Sequence, residues 1–274
     1  PAALISVTEG GLMSVPERSG NVVLSFLRKR QDVEQVAATV PKGIRVYAVG
    51  DIHGRADLLM RLLDMVTDDA RASPGPVNYL VFLGDYVDRG LHSRQVIDLM
   101  IGGPPATFGA VHLRGNHEAA FQEFMTTPAA GSGWFKYGGL ATLHSYGIQI
   151  PSGLTPEERI SYAQQELRRV VPPAHVSFLN HLRPSLTIGD YFFTHAGVRP
   201  GVPLNRQDKD DMMWIRDDFL NSTADHGKIV VHGHTITDLP EIRSNRIGID
   251  TGAYASGHLT CLVLEGDRRR FLAT

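Results

Sequence analysis

The sequence predicts an α/β fold: central β-sheets flanked by helices, with ligand-type side chains gathered at the C-terminal ends of strands. Two observations carry that expectation. From Arg45 onward, short apolar runs alternate with runs of helical period. The first three apolar runs each end in a segment that sets acid, His or Asn between glycines. These are Gly50-Asp51-Ile52-His53-Gly54, Gly84-Asp85-Tyr86-Val87-Asp88-Arg89-Gly90 and Arg114-Gly115-Asn116-His117-Glu118. Two later segments, Thr194-His195-Ala196-Gly197 and His232-Gly233-His234-Thr235, repeat the pattern.

Arg45–Val49 is apolar and β-prone, and stops at Gly50. In the segment 57–70, Leu58, Leu59, Leu62, Leu63 and Val66 recur at helical spacing. Val77–Leu83 reads as a second buried strand, Ser93–Met100 as a short helix, Ala110–Leu113 as a third strand and His117–Met125 as a further helix. This βαβαβ rhythm implies a sheet covered on both faces. Thr155-Pro156-Glu157-Glu158 is a capping box with Pro at the first helical position, and opens a helix that Pro172-Pro173 ends. A short helix follows over 174–182. Asp190–Thr194, Lys228–Val231, Arg246–Asp250 and Leu259–Glu265 read as strands, and Arg268-Arg269-Arg270 as a solvated turn. Residues 1–40 read as a peripheral extension, with one helix over 22–38 and a basic cluster, Arg28-Lys29-Arg30. Residues 41–274 then form one catalytic domain with a helical insertion at about 126–185.

Composition narrows the functional classes. The chain has 274 residues, 42% hydrophobic and 20% charged, with a net charge of −2. Near-neutrality argues against a nucleic-acid partner. The single cysteine, Cys261, lies in a strand-like run and is expected to be a small buried residue in a reducing, cytoplasmic setting. No apolar run reaches the roughly 20 residues of a membrane span, and no secretory or lipidation signal is evident. A monomer is expected.

In open α/β sheets, ligands bind beyond the C-terminal ends of strands. Asp51, Asp85, Asn116, His195 and His234 all follow predicted strands, so they share one rim. The donor set is carboxylate, imidazole and one amide, without thiolate. It suits two Mn²⁺, Fe or Zn²⁺ ions and is too rich in nitrogen for Ca²⁺. Asp85, in the middle of the set, is the natural bridge between them.

The three glycine-bounded motifs resemble the signature of the phosphoprotein phosphatase family of calcineurin-like metallophosphoesterases. His195-Ala196-Gly197, Trp214-Ile215-Arg216, Gly233-His234-Thr235 and Asp250-Thr251-Gly252-Ala253 resemble its bacterial and phage branch. The likeness spans roughly residues 45–265. It implies that Asp51 and His53 hold one metal, that Asn116, His195 and His234 hold the other, and that Asp85 bridges. It implies His117 as the general acid, oriented by Asp88. Asn116 joins Arg89 and Arg216 in binding substrate, and an arginine fork suits phosphate on chemical grounds too. His232, two residues before His234, could face the same way on a continuing strand, but the motif centres on His234 and His232 is then structural. Tyr254 and His258 either approach the site from the last hairpin or lie at the surface, and the surface is expected. Arg114 and Glu118 belong to the motif and are read either as structural salt bridges or as catalytic groups. His92, His112, His144, His175, His181 and His226 belong to no motif.

The reaction so implied is hydrolysis of phosphomonoesters on proteins, Ser/Thr and also Tyr, by a hydroxide held on the metal pair. The alternative is a dinucleoside polyphosphate hydrolase of the diadenosine tetraphosphate type, and a third reading is a non-catalytic phosphate-binding module. Two departures stand out. Arg55 follows Gly54 where eukaryotic relatives usually carry Gln, and Asp250–Tyr254 stands where they carry a Ser-Ala-Pro-Asn-Tyr loop.

Overall fold

The computed structural model describes residues 38–104 and 107–274. Nearly all of the expected extension, including the basic cluster, lies outside the described residues. The first half builds β1 (Ile44–Val49), α1 (Ala56–Ala72), β2 (Val77–Phe82), α2 (Ser93–Gly102), β3 (Phe108–His112) and α3 (Asn116–Thr126). A 3₁₀ turn, Pro128–Ala130, leads into α4 (Gly131–Trp134), a π-type turn over Phe135–Gly139, and α5 (Leu140–Ser145). Then come α6 (Pro156–Val170) and α7 (Pro173–Asn180). α6 starts as read: Thr155 Oγ1 accepts from the Glu158 amide, and the Glu158 carboxylate accepts from the Thr155 amide.

The second half builds β4 (Ser185–Ile188), β5 (Tyr191–Thr194), α8 (Lys209–Trp214), α9 (Asp217–Leu220), β6 (Ile229–His232), β7 (Glu241–Ile242) and β8 (Arg246–Gly248). It closes with α10 (Ala253–Ser256), β9 (Thr260–Glu265) and β10 (Arg268–Ala273).

The strands form two mixed sheets. The first runs β10-β9-β1-β2-β3, with β1, β2 and β3 parallel. The second runs β4-β5-β6-β8-β7, with β5, β6 and β8 parallel. Side chains alternate across each strand. On β1, Val46 and Ala48 enter a core shared with Tyr191, Phe193, Val231 and Ile247 of the second sheet. Tyr47 and Val49 enter a core shared with Leu59, Leu62, Val96 and Ile97 of α1 and α2. The first sheet is therefore covered on both faces, by helices on one and by the second sheet on the other. Phe192 and Val230 turn outward from the second sheet onto Met212, Ile215 and Phe219. Burying a side chain such as Phe193 contributes about 1.5–3 kcal/mol.

The expected solvated turn at Arg268-Arg269-Arg270 is instead the start of β10, paired antiparallel with β9. Two of its arginines are held, while Arg268 is exposed. Arg269 Nε donates to Tyr191 Oη at 2.7 Å, and Arg270 pairs with Asp69. β10 is an edge strand, where charge discourages pairing with a further chain.

Candidate metal centre

Asp51 and His53 follow β1, Asp85 follows β2, Asn116 opens α3, His195 follows β5 and His234 follows β6. The parallel strands carry all of them to one rim, where each is buried. Tight loops are needed there. Among the described residues, the non-glycine residues with left-handed backbone are His53, Asp85, Asp88, Arg89 and His234, with φ between 45° and 73°. Such strain persists only where the surroundings hold it. The Glu118 carboxylate is one such support. It accepts from the amides of Asp85 (2.9 Å), Tyr86 (2.7 Å), Val87 (3.2 Å) and Gly115 (3.0 Å), and so ties two motif loops together. Of the two readings of Glu118 this is the structural one, made through backbone amides rather than a salt bridge. Gly233 is needed for close approach, because a Cβ there would strike Asp51 Oδ1.

Two sets of donor atoms converge, His53–Asp85–His117 and Asp85–His195–His234, and Asp85 belongs to both. His53 Nε2 lies 3.5 Å and His117 Nε2 3.8 Å from Asp85 Oδ2, and His195 Nε2 lies 3.4 Å from Oδ1. His53 Nδ1 faces the Val87 carbonyl at 2.9 Å, and His195 Nδ1 faces the Leu83 carbonyl at 3.0 Å. A carbonyl only accepts, so each Nδ1 carries a proton and each Nε2 is the nitrogen that faces inward. His195 Nε2 then confronts Asn116 Oδ1 at 2.9 Å and His234 Nδ1 at 3.2 Å. Asp51 Oδ1 and His234 Nε2 are buried with no hydrogen-bond partner among the described residues.

The electrostatics agree. Burial, with the charges of Asp250 and Asp85, pushes the Asp51 carboxyl well above its usual range. Burial pushes the His53 imidazole down to about 3. Ligand-type atoms aimed at one another, with the Asp51 Oδ1 acceptor orphaned, in a buried pocket of carboxylates and imidazoles, fit divalent cations. These are groups that can hold metal, with oxygen and nitrogen donors only.

A cleft of about 270 Å³ opens beside this cluster. It is lined by Asp85, Arg89, Asn116, His117, Arg216 and His234, with Tyr137 and Trp214 among its walls. His117 Nδ1 sits 2.7 Å from Asp88 Oδ2, and Arg89 Nη2 lies 3.5 Å from His117 Nε2. Burial opposes protonation of His117, but Asp85 and the hydrogen bond to Asp88 outweigh it and hold its pKa up at about 9. Arg216 Nη1 reaches Thr235 Oγ1 at 3.2 Å and the His234 carbonyl at 3.4 Å.

One residue sits elsewhere than expected, and His258 and His232 sit where expected. Tyr254 belongs to the site's edge rather than the open surface: its ring lies under the Arg89 guanidinium at 4.6 Å and edge-on to His53 at 5.5 Å. His258 does not join the site, and its Nδ1 meets the Thr274 carbonyl at 3.0 Å. His232 ends β6, so the strand does not carry it to the same side as His234. It packs edge-on against Phe219 and lies 3.4 Å from Arg246 Nη1. Two residues escaped the sequence reading. Trp134 and Thr142, from the helical segment after α3, hydrogen-bond to Asp88. No local pattern marks them, because their partner lies more than 40 residues away.

Fold and site together define a metallophosphoesterase, a hydrolase of phosphate esters. The chain belongs to the calcineurin-like phosphoesterase family, whose pattern matches residues 44–259. It is 27% identical over 224 residues to serine/threonine-protein phosphatase 2 of Salmonella typhimurium, covering 78% of this chain and 90% of that protein. It is also 27% identical over 239 residues to the asymmetrical bis(5'-nucleosyl)-tetraphosphatase PrpE of Halalkalibacterium halodurans, covering 78% and 87%. A 94-residue segment is 42% identical to serine/threonine-protein phosphatase BSL2 of Arabidopsis thaliana, but that match spans 32% of this chain and only 9% of the plant protein. A crystal structure provisionally named as a diadenosine tetraphosphatase superimposes with a TM-score of 0.57 at 22% identity, covering 86% of this chain and 98% of that one, which speaks to the fold. No helix among the described residues is long and apolar enough to cross a membrane.

Proposed function

We propose that this chain hydrolyses phosphomonoesters on proteins or peptides, at serine and threonine and also at tyrosine. The observation that carries the reading is the cleft beside the buried ligands. Two arginines line it next to the His117–Asp88 pair, and no other Lys or Arg does among the described residues. Two guanidinium groups match one phosphoryl group, whereas a polyphosphate chain calls for more cations. The similarity to the Salmonella phosphatase supports the same class.

In this reading Asp51, His53, Asp85, Asn116, His195 and His234 hold two divalent ions, with Asp85 shared and Mn²⁺ the preferred metal. Such ions supply a water of lowered pKa and positive charge beside the phosphoryl oxygens. Arg89 and Arg216 bind those oxygens and orient the ester. Asp88 takes the Nδ1 proton of His117 into a hydrogen bond, which leaves Nε2 to deliver a proton to the departing alkoxide.

The second reading is hydrolysis of dinucleoside polyphosphates. The similarity to the Halalkalibacterium enzyme supports it over an equal share of the chain. Exposed Trp214 and Tyr137 at the cleft offer faces on which a base can stack. Comparing kcat/KM on phosphoserine, phosphothreonine and phosphotyrosine peptides with that on diadenosine tetraphosphate, with Mn²⁺ supplied, decides between them. A strong preference for the dinucleotide overturns the first reading.

A further inference from the structure

The Asp88 carboxylate is fully buried and holds more than His117. Trp134 Nε1 donates to it, 2.9 Å from Oδ2 and 3.1 Å from Oδ1. Thr142 Oγ1 donates to Oδ1 at 2.6 Å. The same hydroxyl oxygen accepts from the Asp88 amide at 2.9 Å, so Thr142 brackets Asp88 on backbone and side chain at once. Ser93 Oγ is a second acceptor for that amide at 3.0 Å, and lies 3.0 Å from Thr142 Oγ1. Trp134 ends α4 and Thr142 lies in α5, so both come from the helical segment after α3.

The next residue is held from the same segment. The Arg89 amide donates to the Gly138 carbonyl at 3.2 Å. Gly138 adopts φ 109°, and a Cβ there would lie 2.7 Å from the Arg89 nitrogen. Asp88 and Arg89 are consecutive non-glycine residues with φ of 73° and 68°. Two left-handed residues in a row cost free energy that neighbouring contacts must offset. Those contacts come from α4, the π-type turn and α5.

We propose that Trp134 and Thr142 are positioning residues for the hydrolysis: they fix the Asp88 carboxylate, and through it the ring of His117. The segment 131–145 is then part of the reaction machinery rather than a peripheral addition. This rests on the proposed role of His117 as the acid. Asp88 can hold the imidazole at one angle only if its own two oxygens are held. Trp134 lies across both oxygens and Thr142 fixes one, so the remaining lone pair at Oδ2 points at His117 Nδ1. Loss of either donor lets the carboxylate rotate, and the imidazole Nε2 drifts from the leaving oxygen. Proton delivery is sensitive to such drift.

The test is a double-mutant cycle between each donor and Asp88, read on two substrates. Trp134→Phe and Thr142→Val should each lower kcat on a phosphoserine peptide about tenfold. KM should move less than about twofold, and kcat on p-nitrophenyl phosphate, whose leaving group needs little help from an acid, less than about threefold. Thr142→Ser keeps the hydroxyl and should retain the wild-type rate. In an Asp88→Asn background, Trp134→Phe and Thr142→Val should cost almost nothing more, because they act through the group already changed. Equal losses on both substrates, or full losses that persist in the Asp88→Asn background, would overturn the proposal in favour of plain core packing. Thermal unfolding checks that each variant is folded. If Trp134→Phe fails there, the Thr142→Val and Thr142→Ser pair decides. The underlying reading fails separately: it falls if Asp88→Asn and His117→Asn keep the wild-type rate on phosphoserine. Large losses in those two with silent Trp134→Phe and Thr142→Val overturn only the positioning role.

Discussion

His117 Nδ1 and Asp88 Oδ2 lie 2.7 Å apart, both residues are buried, and the opposite imidazole nitrogen faces the cleft beside Arg89. In the proposed reaction the pair separates two duties within one ring: Nδ1 sets its orientation and Nε2 is left for substrate. His117→Asn should therefore lower kcat on a phosphoserine peptide by roughly 10²–10⁴. The loss on p-nitrophenyl phosphate should be smaller, and both metals should stay bound. Steady-state kinetics on the two substrates, with metal content by elemental analysis, check this. Equal losses, or loss of metal, would contradict the role of acid.

Chelation should abolish turnover, and Mn²⁺ should restore it. Asp85 touches both converging sets of donors, so Asp85→Asn should be the most damaging change among the ligands. Elemental analysis should find both ions depleted in that variant, where changes at His53 or His234 deplete one. An Asp85→Asn protein with a full metal complement and normal rate would show that the two ions do not share this carboxylate.

Arg89→Ala and Arg216→Ala should each lower kcat/KM on phosphopeptides about 10- to 100-fold, the loss of a charged hydrogen bond to phosphate. Metal content should not change, since neither guanidinium is a donor to a cation. Arg89 also covers the Tyr254 ring, so Tyr254→Leu should produce a weaker version of the Arg89 defect. A co-crystal with phosphate in which Arg216 keeps only its contacts to Thr235 and the His234 carbonyl would remove it from the cleft chemistry.

His112 offers a pH test that is separate from the metal ligands. Its ring stacks on Phe82 at 5.1 Å and meets Phe178 edge-on at 5.1 Å. Burial pushes its pKa down to about 4. The unfolded chain therefore binds the proton more readily than the folded one. The stabilisation is complete above about pH 6.5 and fades as pH falls from there towards 4. At pH 5 this amounts to about 1–2 kcal/mol. His112→Phe should keep the stacking and remove this part of the acid sensitivity. The drop in Tm between pH 7.5 and pH 5 should be a few degrees smaller than in the wild type. An unchanged drop would mean that His112 stays neutral or charged equally in both states.

What could be read in the chain depended on where the information sits. β1, the second half of β2, and β5 are buried runs that end in loops bearing ligand-type residues, so strand and site were legible together at Gly50-Asp51, Gly84-Asp85 and Thr194-His195. α6 was legible because Thr155, Pro156 and Glu158 satisfy its first turn locally. β4, β7 and β10 were not. They are short or partly exposed edges, and three successive arginines in β10 look like a solvated turn until the partner strand is known. Residues 131–145 hid for another reason. A π-type turn with Gly138 at φ 109° breaks the helical period, so the apolar spacing matches no single helix. Trp134 and Thr142 were invisible for the same reason that they matter. They act on a residue more than 40 positions away, and nothing beside them in the chain records it.

The donors come from both sheets: Asp51, His53, Asp85 and Asn116 from loops of the first, His195 and His234 from loops of the second. Ions seated among them would therefore be a clasp as well as a reagent. Val46, Leu83, Phe193 and Ile247 close the seam between the sheets along its length, whereas at the rim few polar contacts cross it, among them the His234 amide to Asp51 and His195 Nδ1 to the Leu83 carbonyl. Stripped of its ions, the molecule should gape first at that rim, like a book whose cover has lost its catch, while its spine of apolar side chains stays shut.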